Sequence, residues 1–151
     1  MIILGLDTGT KTGWCLLKDG KIVESGVQDF SKLRGESNGA LFLKFRTWLN
    51  HILQEQRVKF VAYEMAHHRG GAATEICVNL TGRVEEVCHE LGIEFTGVPS
   101  MTLKKWATGK GNADKSRMIE VAKSALDREP IDDNEADSVL LAMYGYANYG
   151  G

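Results

Sequence analysis

With 151 residues, 43% of them hydrophobic and 8% aromatic, the chain has the size and apolar content of one domain that buries a full core. Its three cysteines, Cys15, Cys77 and Cys88, are odd in number, match no CxxC or Cys/His zinc spacing and sit in apolar stretches, which excludes a disulfide framework and implies a reducing, cytoplasmic setting. The net charge of -2 argues against a surface that is basic throughout, and the apolar run of residues 1–6 breaks at Asp7, far short of the roughly 20 residues of a membrane span, so no export or membrane anchor is expected.

A continuous apolar run at residues 2–6 predicts a strand buried on both faces, ending in the polar loop Asp7-Thr8-Gly9-Thr10-Lys11-Thr12-Gly13. Strands at residues 14–17 and 22–27 flank Lys18-Asp19-Gly20-Lys21, and Asp-Gly supplies the positive φ values of a tight hairpin, giving an antiparallel meander. Ser37-Asn38-Gly39 opens a helix whose Leu41, Phe45, Trp48, Leu49 and Ile52 form one apolar face. A fourth strand at residues 60–63 exits at Glu64 into a loop through Gly71. A long helix over residues 73–91 carries Ile76, Leu80, Val84, Val87 and Leu91 on one stripe and stops at Gly92. A strand at residues 94–98 is closed by Pro99, and Ser100 is expected to cap a short helix through Trp106. After the loop at residues 108–112, Asp114 opens a helix to about Leu126, and the last helix covers residues 133–146. The order is that of a mixed five-stranded sheet with helices on both faces, an α/β domain over residues 1–149 followed by a Gly150-Gly151 tail.

Three carboxylates occupy places that such a sheet brings together. Asp7 ends the first strand, Glu64 ends the fourth, and Asp137 lies on the last helix, three residues after Asn134 and four after Asp133, which puts these side chains on one helix face. Clustered carboxylates suit hard divalent cations such as magnesium, two of which can serve an in-line phosphoryl displacement, and without cations they repel one another. The charge pattern is consistent with that chemistry. Between Lys104 and Lys123 six basic residues face two acidic ones, and from Ser124 onward one basic residue faces six acidic ones. Carboxylates that hold cations beside a basic surface that holds phosphates are what a metal nuclease needs. The Asp7–Gly13 loop also fits a phosphate-gripping hairpin of the actin and sugar-kinase type, but that reading needs a second domain for which 151 residues leave no room.

Four motifs in order then carry a resemblance. Gly5-Leu6-Asp7-Thr8-Gly9, Tyr63-Glu64, Gly109-Lys110-Gly111-Asn112-Ala113-Asp114-Lys115 and Asn134-Glu135-Ala136-Asp137-Ser138 are similar to the acidic and Gly-Lys-Gly motifs of the RuvC-type Holliday junction resolvases. The resemblance implies a ribonuclease H-like fold with its first three strands antiparallel, and a crossover junction endodeoxyribonuclease that hydrolyses phosphodiester bonds of four-way or other branched DNA. It also implies a homodimer, two Mg2+ ions with Mn2+ able to substitute, and no nucleotide cofactor. The run Asp132-Asp133-Asn134-Glu135-Ala136-Asp137 resembles phage-borne relatives, implying a phage origin and a host-cytoplasmic location.

Carried across, Asp7, Glu64 and Asp137 become metal ligands. Asn134 stands where the family has a fourth acidic residue or a histidine, so either it or the adjacent Asp133 completes the site. Lys115 would stabilise charge at the scissile group, and Lys104, Lys105 and Lys110 would contact the phosphate backbone. The loop after Glu64 is where the family places a stacking aromatic; here His67, His68 and Arg69 are the residues whose flat side chains can stack on a base. The long helix, through Thr74, Cys77, Val78 and Thr81, is the expected dimer surface. Two other readings stay open on sequence: a ribonuclease H-like nuclease for forks or RNA-DNA hybrids, and a junction-binding protein without catalysis.

Overall fold

Strand β1 (Ile2–Asp7) lies at the centre of the sheet, which is why its side chains are apolar on both faces. It pairs antiparallel with β2 (Lys11–Lys18), which pairs antiparallel with β3 (Lys21–Asp29) across a turn where Asp19 and Gly20 have φ of 49° and 84°. On the other side of β1, β4 (Phe60–Glu64) and then β5 (Glu94–Val98) run parallel to it, giving the order β3-β2-β1-β4-β5. This computed structural model describes residues 1–66 and 70–150; His67, His68 and Arg69 lie outside the described residues. No helix among the described residues is long and apolar enough to cross a membrane.

The period-two alternation of the strands splits the core in two. Leu4, Leu6, Leu16, Val61 and Tyr63 face α1 (Asn38–Glu55) and α2 (Ala72–Leu91), whereas Ile3, Cys15, Leu17, Phe60 and Ala62 face α3 (Ser100–Thr108), α4 (Lys115–Leu126) and α5 (Asp133–Tyr149). Gly92 ends α2 in the left-handed conformation that its sequence position suggests, and Asp114 caps α4 by accepting the Arg117 N–H.

Several boundaries differ from the sequence expectation. Ser100 is not a cap: Pro99 takes the extended cap position, and Ser100 is buried inside the first turn of α3. Helix α5 continues three residues past Tyr146 because Tyr149 stacks on Phe60 with ring centroids 4.9 Å apart. On α1, Leu53 is fully buried while Trp48 and Ile52 are only partly covered, since Trp48 packs edge-on against Phe30 at the margin of the core.

Helix α5 lies on the sheet backbone to backbone. A Cβ on Gly5 would come within 2.2 Å of the Ser138 carbonyl oxygen, and one on Gly13 within 1.9 Å of the Asn134 carbonyl oxygen. Gly13→Ala therefore pushes the start of α5 off β2 and is expected to destabilise the fold by about 1–3 kcal/mol, the range for overpacking. Urea denaturation of Gly13→Ala beside Gly9→Ala, whose added carbon would meet nothing closer than 3.5 Å, checks this; equal midpoints would contradict it.

Candidate functional site

The parallel register of β1 and β4 places Leu6 opposite Tyr63, so Asp7 and Glu64 are the next residues on neighbouring strands. Both continue the face that carries Ile3, Phe60 and Ala62, and that face looks at α5. Because α5 sits directly on Gly5 and Gly13, its Asp137 reaches them, and one carboxylate oxygen from each of Asp7, Glu64 and Asp137 lies within 4.8 Å of the others. Two clefts meet at Glu64. One of about 230 Å³ is lined by Asp7, Thr8, Glu64, Met65 and Cys77 among others; the second, of about 420 Å³, includes Glu64, Lys104, Lys115, Asp133 and Asp137.

Burial together with the charges of Glu64, Asp137, Asp133 and Asp132 raises the Asp7 carboxyl well above the usual range. Burial, then Glu64 and Asp133, lift Asp137 to about 7 against the opposing pull of Lys104 and Lys115. An all-oxygen donor set held against its own repulsion fits a hard divalent cation, which removes that repulsion on binding.

The other expected residues divide by position. Lys104 is half-buried and lines the larger cleft, while Lys105 and Lys110 are exposed along α3 and the loop after it. Lys115 is 84% exposed and pairs with Asp133 at 3.4 Å. Asp133 lines the same cleft as Glu64 and Asp137, whereas the Asn134 amide donates to Asp132 at 3.4 Å. Cys77, expected on a partner-facing surface of α2, instead donates its thiol to the Thr8 carbonyl at 3.4 Å and borders the smaller cleft. Thr12 is fully buried and its hydroxyl donates to the Gly9 carbonyl at 2.8 Å, closing the loop that follows Asp7.

Glu135 is the residue whose part the sequence reading missed. It is fully buried and accepts from Arg128 at 2.7 and 3.1 Å, from the Ile131 N–H at 2.7 Å and from the Ser25 hydroxyl at 2.8 Å. Burial by itself raises this carboxyl, but the hydrogen bonds from Arg128, Ile131 and Ser25 and the Arg128 charge hold it below the usual glutamate range. The cluster ties the start of α5 to β3, so Glu135 anchors the helix that presents Asp137. Its spacing was the available signal: two residues before Asp137 is about 200° around a helix, away from the side that carries Asp137.

No family model matches the chain. Curated proteins named crossover junction endodeoxyribonuclease RuvC do match it. The protein from Synechococcus sp. strain WH7803 is 25% identical over 97% of this chain and 98% of its own length, and that from Chlamydia muridarum is 28% identical over 94% and 89%. The chain is similar to these RuvC proteins over nearly its whole length. Thermus thermophilus RuvC, solved in complex with a Holliday junction substrate, superposes with a TM-score of 0.82 at 20% identity, covering 99% of this chain and 96% of that one. The phage kinship expected from the Asp132–Asp137 run gains no support from these relatives.

The raised carboxyls set a pH dependence. A carboxyl that holds its proton more tightly in the folded chain than in the unfolded one stabilises the fold below the unfolded value, 3.8 for aspartate, and that stability is lost as the pH rises through the folded value, about 7 for Asp137. Metal-free wild type is therefore expected to lose melting temperature between pH 4 and pH 8 more steeply than Asp137→Asn, by several degrees, corresponding to about 1–2 kcal/mol. Added millimolar Mg2+ flattens the wild-type profile. Parallel profiles for the two proteins would contradict the repulsion.

Proposed function

We propose that the chain is a divalent-metal-dependent endonuclease that cuts branched DNA, with the four-way junction as its preferred substrate. The convergence of Asp7, Glu64 and Asp137 carries the reading, because three carboxylates in reach of one another are unfavourable except as cation ligands. Homology to RuvC over nearly the whole chain supports the substrate class. When bound, Mg2+ supplies Lewis-acid stabilisation of charge at phosphorus and a more acidic water.

In this mechanism Asp7, Glu64 and Asp137 would hold the metal, two Mg2+ ions with Mn2+ able to substitute, and Asp133 would be the fourth donor. Its place in the shared cleft favours it over Asn134, whose amide is turned to Asp132. Lys104, with Lys105 and Lys110 along the same surface, grips backbone phosphates. Lys115, extended into solvent and paired with Asp133, swings to the scissile phosphate and stabilises the developing negative charge. Hydrolysis leaves 5'-phosphate and 3'-hydroxyl ends. Two copies assemble about a two-fold axis so that each nicks one strand of a symmetric junction. The exposed Val78 of α2 is the apolar residue available to that contact, since Cys77 is turned inward.

A labelled synthetic four-way junction, incubated with and without Mg2+ beside fork, RNA-DNA hybrid and linear duplex, tests the reading. Nicking is expected only with metal and is strongest on the junction. Asp7→Asn is expected to lower it by more than about 100-fold, beyond the cost of losing a supporting group, with DNA binding kept or tightened by removal of a negative charge. Equal cutting of linear duplex would remove the junction preference, and retained cutting by Asp7→Asn would overturn the site.

A further inference from the structure

The sheet order leaves one flank of the acidic cluster opposite Lys104 and Lys105, and that flank carries its own cations. Asp7 pairs with Gly13, which pairs with Val27 on β3, so Val27 lies on the rung of Asp7 two strands away, about 10 Å at ordinary strand spacing. Two residues later β3 ends at Asp29 opposite Lys11, and the chain leaves the sheet at the end where Asp7 and Glu64 also terminate. The segment of residues 30–37 before α1 is firmly held at its base. Phe30 is buried against Phe45 and Trp48, and its N–H donates to the Thr10 carbonyl at 2.7 Å, joining the loop to the one that follows Asp7.

The tip is built to leave its cations uncompensated. Asp29 accepts the Ser31 N–H at 2.8 Å and the Ser31 hydroxyl at 2.5 Å, and Glu36 accepts the Leu33 N–H at 2.6 Å and Lys44 Nζ at 2.8 Å. Both nearby carboxylates are thus spent on the backbone and on Lys44. Lys32 and Arg34 are exposed, flank an equally exposed Leu33, and have no hydrogen-bond or ion-pair partner among the described residues. Elsewhere Arg46, Lys115, Arg117, Lys123 and Arg128 pair with a carboxylate, while Lys18, Lys21, Lys105 and Lys110 have no ion pair among the described residues, so position beside the acidic cluster is what sets Lys32 and Arg34 apart from Lys18 and Lys21. A DNA arm entering the acidic cluster, with a major groove about 12 Å wide, is broad enough to touch both flanks.

We infer that Lys32 and Arg34, on the ordered loop between β3 and α1, form a second phosphate-backbone contact that grips a duplex arm on the flank of the acidic cluster opposite Lys104. The inference rests on the nuclease reading above and extends it from the cleavage site to the placement of the arms.

Binding of a fluorescent four-way junction in EDTA, measured by anisotropy across a salt series, tests it. The pair Lys32→Gln with Arg34→Gln is expected to make the slope of log affinity against log salt shallower by about 1.8, two released counterions, and to weaken binding on the order of 200-fold at 0.05 M salt. Each single variant should give half the slope change, which keeps the test sound if the double variant folds poorly. Lys104→Gln with Lys105→Gln should also flatten the slope, and Lys18→Gln with Lys21→Gln, at the far end of the sheet, should leave it unchanged. If Lys104 and Lys105 matter and Lys32 and Arg34 do not, or if Lys18 and Lys21 matter as much as they do, this inference falls and the nuclease reading stands. A wild type that binds no junction overturns the reading beneath it.

Discussion

Backbone contact between α5 and the sheet is the constraint on which the rest of the molecule turns. Helices ordinarily pack on sheets through side chains, but here Gly5 and Gly13 let the Asn134 and Ser138 carbonyls approach the strands directly. That closeness brings Asp137 within reach of two carboxylates already set side by side by the parallel pairing of β1 and β4. Like charges resist the approach, so the helix needs an anchor. The buried Glu135, gripped by Arg128, Ser25 and the Ile131 N–H, supplies it from the opposite side of the same helical turn. One short segment thus carries both an acid that is unfavourable where it sits and an acid that is fully satisfied.

Much of this was legible in the chain itself. Continuous apolar β1, the Asp19-Gly20 hairpin and the stripe of α2 obey local rules, and the three metal-facing acids sit at strand ends and on one helix face, where motif order reveals them. What stayed hidden was set by contacts distant in sequence. Tyr149 extends α5 because it meets Phe60, Glu135 is an anchor because Arg128 and Ser25 reach it, and Cys77 turns inward because Thr8 offers a carbonyl. The motif put Asn134 at the fourth position with Asp133 as its alternative; the place of Asp133 in the cleft and beside Lys115, and the contact of the Asn134 amide with Asp132, are set by the fold. Nothing local singles out Lys32 and Arg34; the hydrogen bonds of Asp29 and Glu36 show which carboxylates near them are already committed.

The electrostatic layout has a functional logic. Acids that repel are concentrated at one end of the sheet, and cations lie beside them on α3 and on the loop after β3, so a polyanion is drawn to the flanks while the centre itself favours divalent cations. On the proposed function, metal and DNA are mutually supporting ligands of the same surface. That coupling rests on the three carboxylates acting together as one cation-binding cluster.

Calorimetric titration of Mg2+ into the metal-free protein near pH 7 measures this most directly. Saturable binding with release of protons is expected, because Asp137, lifted to about 7, is still partly protonated there and the cation displaces its proton. Binding should be lost in Asp7→Asn and kept in Asn134→Ala. Unchanged Mg2+ binding in Asp7→Asn would contradict the central claim.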